Sequence, residues 1–372
     1  MKFAPKKYEL IHFSRCRRFN LKVGIRLEGE TKTPSPDIRI LGIWVDTKLQ
    51  WSAHLREAKE KATSQIGALA RTTASTWGAS FLRARQVYSA VIRPALAYGA
   101  TAWHTPAKET NLRPRGLANK LQTIQNKCLR IVAGAYKATP TQSLEVETYT
   151  PPLDLYLDSR LAAFRERLSS SGIGSLIQQT CTTIRTRLQT RRRRTPSTEP
   201  VSEKDKWKER RDIHFGTLSE KRRVLAAWRQ RWKNTEELRN QNQRQWDQIK
   251  GPPDPKTLSL HRNLRKAESS ILIQLRTGRI GLRHFLNKVN VPGYESGTCT
   301  CGRGPETPHH ILIHCPKEAE RRPILRGAQG QERGLDFKGL LNTPNTTPLT
   351  TKWMIKSGRI PQFKLAGELL YK

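Results

Sequence analysis

Long apolar runs are missing from this 372-residue sequence, and no stretch approaches the roughly 20 apolar residues that a membrane-crossing helix needs. The N-terminus, MKFAPKKYELIHF, also lacks the uninterrupted apolar stretch of a secretory leader. A soluble, intracellular chain is therefore expected, with no membrane partner. Cysteine is scarce: Cys16, Cys128, Cys181, Cys299, Cys301 and Cys315 are too thinly spread for a disulfide framework. Acidic residues are too few to balance the basic ones. Against 68 Lys and Arg stand 31 Asp and Glu, which leaves a net charge of +37. Such a chain repels itself unless a polyanion is near, so the expected partner is nucleic acid, whether RNA, DNA or a hybrid duplex. Hydrophobic residues, at 36%, suffice for modest cores in two or three compact units.

The pattern of the remaining residues predicts a mainly α protein with a small N-terminal antiparallel β-sheet, an α+β chain. Leu21, Val23, Ile25 and Leu27 alternate with polar neighbours, the two-residue period of a strand. Tyr8 to Phe13 and Ile38 to Val45 are its expected partners, and the Thr33-Pro34-Ser35-Pro36 run marks a turn. From Ser52, the expected N-cap, the period becomes helical, with Leu55, Ala58, Ala62, Ile66 and Leu69 on one face. A second helix is expected over about Ser80 to Tyr98, bent at Pro94. A third carries Leu117, Leu121, Ile124, Cys128 and Ile131, with Gly134 where a C-cap belongs. Leu157, Leu161, Phe164 and Leu168 suggest a fourth, and Ile173, Ile177, Ile184 and Leu188 a fifth.

The composition then breaks. Arg191, Arg192, Arg193 and Arg194 run into Thr195-Pro196-Ser197-Thr198-Glu199-Pro200, which reads as a flexible linker over 191–202. Residues 203–250 look helical but charged nearly all round, and a further helix with Leu260, Leu264, Ile271 and Leu275 ends at Gly278. The tail after Arg321 is rich in Gly, Pro, Asn and Thr and is expected to be poorly ordered. For nucleic acid the basic candidates are Arg185, Arg187, Arg191 to Arg194, Lys221, Arg222 and Arg223, touching phosphates without reading bases. The same arginine run suits a nuclear import signal, so the nucleus is the expected compartment, beside a cytoplasmic ribonucleoprotein. Trp228 and Trp232 offer stacking on bases, but with Leu225 they recur at three- and four-residue steps, which favours the buried stripe of one helix.

One segment asks for a metal. Within residues 299–315 lie Cys299, Cys301, His309, His310, His314 and Cys315. Soft sulfur with imidazole nitrogen suits tetrahedral zinc, and four protein ligands with no open position make a structural site. The preferred set is Cys299, Cys301, His310 and Cys315, with His309 and His314 as competitors that spacing does not separate.

Four stretches resemble the reverse transcriptases of fungal LINE-type (non-LTR) retrotransposons. Lys2-Phe3-Ala4-Pro5 with Lys7-Tyr8-Glu9-Leu10-Ile11-His12-Phe13 is similar to the strand that follows the polymerase's catalytic carboxylate pair. Arg39-Ile40-Leu41-Gly42-Ile43-Trp44-Val45-Asp46 resembles the next hairpin, which in that family grips the primer end, so Leu41 and Gly42 become primer-grip-like residues. Thr150-Pro151-Pro152-Leu153-Asp154-Leu155-Tyr156-Leu157 is similar to a stretch beyond the thumb. The fourth is Gln274-Leu275-Arg276-Thr277-Gly278-Arg279-Ile280-Gly281-Leu282, leading through Val291-Pro292-Gly293-Tyr294 into the cysteines.

The resemblance implies a residual palm and primer-grip sheet at 1–50, a thumb-like helical region at 51–190, the linker, a charged helical region at 203–290, a zinc segment at 291–318 and the tail at 319–372. It also implies that the aspartates holding magnesium belong upstream of Lys2. Neither Asp37 nor Asp46 is spaced like such a pair, so no catalytic residue is assigned and magnesium is expected only with that upstream part. The expected function is a non-catalytic, nucleic-acid-binding portion with structural zinc. The alternatives are a piece of a longer RNA-directed DNA polymerase, or an element-derived chain without activity.

Overall fold

The computed structural model describes residues 8–13, 22–27, 29–105, 116–177, 179–180, 183, 220–239, 251–330 and 334–371. The chain is mainly helical, with short antiparallel strands near its N-terminus. Among the described residues four strands form two separate hairpins: β1 (Ile25–Leu27) with β2 (Glu30–Lys32), and β3 (Asp37–Ile40) with β4 (Ile43–Asp46). Ile38 to Val45 is thus not one strand. It folds back at Leu41 (φ 48°) and Gly42 (φ 83°), two consecutive positive φ values that match the twist of a two-residue hairpin. Tyr8 to Phe13 supplies a single bridge, Leu10 to Pro34, and Val23 and Ile25 stay exposed. Alternation marks a strand locally, but a three-residue ladder has no layer behind it to bury against.

Helix α1 (Ser52–Thr72) buries Leu55, Ala58, Ala62, Ile66 and Leu69 as the period predicts. Ser52 is not its cap. Trp51 occupies that position in the left-handed region, and the Asp46 carboxylate accepts from the backbone N–H of Lys48, Gln50 and Ser52 at 3.2, 2.8 and 3.0 Å. The helix expected over 80–98 divides into α2 (Phe81–Val87), a π-helical turn (Tyr88–Ile92) and α3 (Arg93–Leu96). Pro94 lacks an N–H and its ring would strike a carbonyl of the preceding turn, so the wider turn takes up the defect. After α4 (Ala100–Trp103), α5 (Gly116–Ala133) ends on Gly134 at φ 61°, the expected C-cap. Helices α6 (Thr141–Glu147) and α7 (Leu153–Ser169) complete this unit. In α7 Leu157 and Leu161 are buried but Phe164 is exposed, as are Ile173 and Ile177 beyond it. Ile184 and Leu188 lie outside the described residues, as does the linker.

The charged helix α8 (Glu220–Arg239) lies along α7. Its stripe is buried: Trp228 packs with Leu155 and Tyr149, and Trp232 with Val146. Arg231 adds a two-pronged ion pair to Asp154, at 2.9 and 2.7 Å. With these indoles inside, Trp232→Ala is expected to cost about 3 to 5 kcal/mol. It should weaken single-stranded and duplex ligands alike, which a thermal melt beside two binding titrations will check; a loss confined to single strands would instead mean base stacking.

Helix α9 (Lys266–Thr277) is buried at every residue. Three of its polar side chains, Lys266, Gln274 and Arg276, bond across to the first unit. The Lys266 ammonium, pulled down to about 8 by burial, donates to the carbonyls of Val132 (2.6 Å) and Ile131 (3.3 Å) at the end of α5. Gln274 donates to the Gly134 carbonyl, and Arg276 holds Glu147 at 2.8 Å.

The tail is where the expectation of poor order is overturned. After α10 (Arg283–Lys288), which precedes the cysteines, the tail forms α11 (Pro323–Gln329), α12 (Phe337–Asn342), α13 (Thr347–Lys356) and α14 (Lys364–Leu370). Leu340, Leu341, Met354, Ile360 and Phe363 close one core over Ile271, Leu272 and Leu275. Pro323 and Pro348 sit at helix starts, where no donor is lost, and Thr350 and Thr351 return their hydroxyls to the carbonyls of Thr346 and Thr347, both at 2.9 Å. Residues that suggest a loop by composition here serve helices. The segment 291–318 and the tail therefore share one core, rather than forming a clip and a loose end.

Candidate metal centre

The centre is built on two local devices. The first is a tight turn. Thr298 bridges Pro305, the Cys299 N–H donates to the Gly304 carbonyl at 2.8 Å, and the Gly302 N–H donates to the Cys299 carbonyl at 2.9 Å. Gly302 (φ 74°) and Gly304 (φ 145°) supply the positive φ values this path needs. The Arg303 N–H then points at Cys301 Sγ, 3.4 Å away. The second device is a π-helical turn, His310–His314, closed by the Cys315 N–H on the His310 carbonyl at 2.7 Å. In a regular α-helix a five-residue step leaves two side chains about 140° apart. The wider turn closes much of that angle and brings His310 and Cys315 to one side.

Together these place Cys299, Cys301, His310 and Cys315 with one potential donor atom each, all within 4.8 Å of one another. Cys299 Sγ and Cys315 Sγ are 3.7 Å apart, against about 3.8 Å for two thiolates at ~2.3 Å from a tetrahedral zinc. Cys301 Sγ lies 3.2 Å from His310 Nε2. His309 and His314 pack on each other instead, with ring centres 4.8 Å apart, and His309 also meets the Phe337 ring. The cluster could hold a metal ion, and its donors are compatible with zinc. Burial pushes the Cys315 thiol up to about 11, whereas the Arg303 N–H draws Cys301 down. Burial also lowers His310, favouring the neutral imidazole that a metal needs.

Around the cluster, Arg322 donates to the carbonyls of Ile311, Leu312 and Cys315, which fixes the π-helical turn from behind. Sequence reasoning missed this residue, and it also missed a basic face beside the cysteines. Arg279, His284 and Lys288 line one small cleft with Gly278, Phe285 and Glu306. Partial burial, and then the Lys288 and Arg279 charges, hold His284 below its ordinary range. The Nε atoms of Arg279 and Arg283 are buried without a hydrogen-bond partner among the described residues. The spacing Arg279-x3-Arg283 was the available signal.

The other expected site residues scatter. Leu41 stands 91% exposed at the tip of the β3–β4 hairpin, braced by the Tyr98 hydroxyl on its carbonyl at 3.1 Å. Gly42 takes a φ of 83° that favours glycine, and a Cβ there would meet the Tyr98 oxygen at 2.7 Å, so Tyr98 would have to shift. Arg185, Arg187, Arg191, Arg192, Arg193, Arg194 and the Lys221 side chain lie outside the described residues. Arg222 is exposed on α8 and Arg223 is half-buried. Asp37 and Asp46 face each other across the β3–β4 ladder, with the Asp46 carboxylate engaged by its own turn. Among the described residues no helix is long and apolar enough to cross a membrane.

Comparison with known proteins adds a lineage. Over 331 residues, 87% of this chain, the sequence is 25% identical to a 115 kDa protein in the type-1 retrotransposable element R1DM of Drosophila melanogaster. Its relatives are retrotransposon proteins. A Pol polyprotein from the type-1 retrotransposable element R1 3 of Nasonia vitripennis is 24% identical over 308 residues, 82% of this chain and 70% of its own length. The RNA-directed DNA polymerase from the mobile element jockey of Drosophila melanogaster is 25% identical over 146 residues, 39% of this chain. The chain spans 28% of the R1DM protein and 15% of the jockey polymerase. No protein-family model and no solved structure matches it.

Proposed function

We propose that this chain is the non-catalytic, nucleic-acid-holding C-terminal portion of a LINE-type retrotransposon reverse transcriptase. What carries the reading is the coincidence of a +37 net charge with a retrotransposon likeness that runs through 87% of the chain. Phosphate contact is the mode such a charge excess favours, over RNA, DNA or a hybrid, without base readout. Arg279, Arg283 and Lys288 join the arginine run at 185–194 and Lys221, Arg222 and Arg223 as the contact residues. In this reading zinc sits on Cys299, Cys301, His310 and Cys315, and with four protein ligands it is structural. The nucleus is the proposed compartment, the fungal affiliation is likewise proposed, and Leu41 and Gly42 are primer-grip-like.

Phosphoryl transfer requires carboxylates that hold two metal ions, whereas the Asp46 carboxylate is taken up by three amides of its own turn. The purified chain is therefore expected to bind RNA, DNA and hybrid oligonucleotides but not to extend a primer on a template with magnesium or manganese. Failure to bind any of the three would overturn the proposal, and template-dependent extension would overturn its non-catalytic part. The short coverage of the R1DM protein and the jockey polymerase favours a second reading, in which polymerase activity belongs to a longer chain that includes this one.

A further inference from the structure

Arg359 lies 44 residues beyond Cys315, yet its guanidinium reaches the metal centre. Its Nη1 stands 3.7 Å from Cys299 Sγ and its Nη2 3.7 Å from Cys315 Sγ. Along its other edges, Nε donates to Glu318 Oε1 at 2.8 Å, and Nη1 to Glu306 Oε1 at 3.0 Å and Thr300 Oγ1 at 3.2 Å. Both carboxylates are buried and are themselves fixed, Glu306 by the Arg283 N–H at 2.8 Å and Glu318 by Arg321 at 3.4 Å. The tail side is equally held, because the Arg359 N–H donates to Ser357 Oγ and the next residue, Ile360, is sealed in the core. Two acids explain why an arginine is present. They do not explain why its planar fork lies against two sulfurs.

We infer that Arg359 is an outer-sphere residue of the metal centre, donating to two of its three sulfurs, so that metal loading and seating of the C-terminal tail are one event. The inference rests on the reading of the cysteine–histidine cluster as a metal site. Three thiolates and an imidazole around a dication keep one excess negative charge on sulfur. N–H donors aimed at sulfur stabilise that charge, and an always-ionised guanidinium supplies two of them in fixed geometry. Outer-shell partners of this kind typically hold a factor of 10 to 100 in metal affinity. Since Arg359 is carried by the tail, the tail must dock before the donors are in place. The bound metal in turn favours the docked state.

The test uses the full chain, zinc and a chromogenic chelator. Arg359→Gln is expected to weaken zinc binding about 10- to 100-fold. It should also lower the melting temperature more in the zinc-loaded protein than in the stripped one. Arg359→Lys keeps the charge but cannot direct donors at both sulfurs, so it should fall between the parent and Arg359→Gln, and it serves if Arg359→Gln does not fold. If either folded variant binds zinc as tightly as the parent, Arg359 merely ties Glu306 to Glu318 and the inference fails alone. If the parent itself binds no zinc, the metal reading fails with it.

Discussion

Replacing Cys315 by serine is expected to abolish stoichiometric zinc and to melt far more than the segment that carries the ligands. Cys315 is fully buried, closes the π-helical turn and lies 3.7 Å from Cys299 Sγ. Structural zinc is worth roughly 10 to 16 kcal/mol in small domains, comparable to a whole folding free energy. From the sequence alone, only residues near 295–316 would be expected to disorder. The shared core changes that, because Ile311 and Leu312 pack in one cluster with Leu325, Leu341 and Phe363. Loss of the metal should therefore expose the tail helices α11 to α14 as well. Metal content per chain, measured beside amide hydrogen exchange, checks both halves of this expectation. His309→Ala and His314→Ala are the controls and should keep zinc, since those rings pack on each other and His309 also meets Phe337. Full zinc occupancy in the Cys315→Ser protein would show that the ligands are wrongly assigned.

Nucleic-acid affinity should fall by roughly 10³-fold or more between about 50 and 200 mM salt if some six phosphates are neutralised. At a net charge of +37, counterion release dominates the affinity, and it does not depend on base sequence. Changing Arg191 to Arg194 to Gln should reduce the slope of log affinity against log salt by about 0.9 for every duplex phosphate left unneutralised. Preference among sequences should stay the same, because positioning contacts carry no base information. Arg279→Gln with Lys288→Gln should act in the same direction, since both cations line one cleft and Arg279 Nε lacks a partner among the described residues. Fluorescence anisotropy over a salt series decides. Binding that ignores salt would remove the electrostatic account altogether.

Much of the first unit was legible because helix period and capping are local. Leu55, Ala58, Ala62, Ile66 and Leu69 recur at helical steps and are all buried, and Gly134 and Gly278 end their helices at φ 61° and 64° as C-caps. The four clustered metal-ligand candidates were legible for a similar reason. Three cysteines and three histidines within 17 residues need only one turn and one helical step to meet. The Trp228 and Trp232 stripe likewise announced a buried face by its spacing, although not the helix it would meet.

Sequence by itself thus determined the α+β class, the phase of several helices, the basic charge and the cysteine–histidine cluster. Tertiary structure alone decided the rest, and the reason is distance along the chain. The turn at Leu41 and Gly42 was implied by the resemblance to a hairpin, but not its brace, the Tyr98 hydroxyl 57 residues away from Leu41. Whether a tail rich in threonine and proline folds depends on the all-round burial of α9, which gives Leu340, Met354 and Phe363 a surface to cover. Which of three histidines joins the sulfurs depends on a π-helical turn whose phase no local pattern records. Arg359 reaches Cys299 and Cys315 only because that tail packs where it does, and pairing across 44 residues leaves no periodic trace in a single sequence.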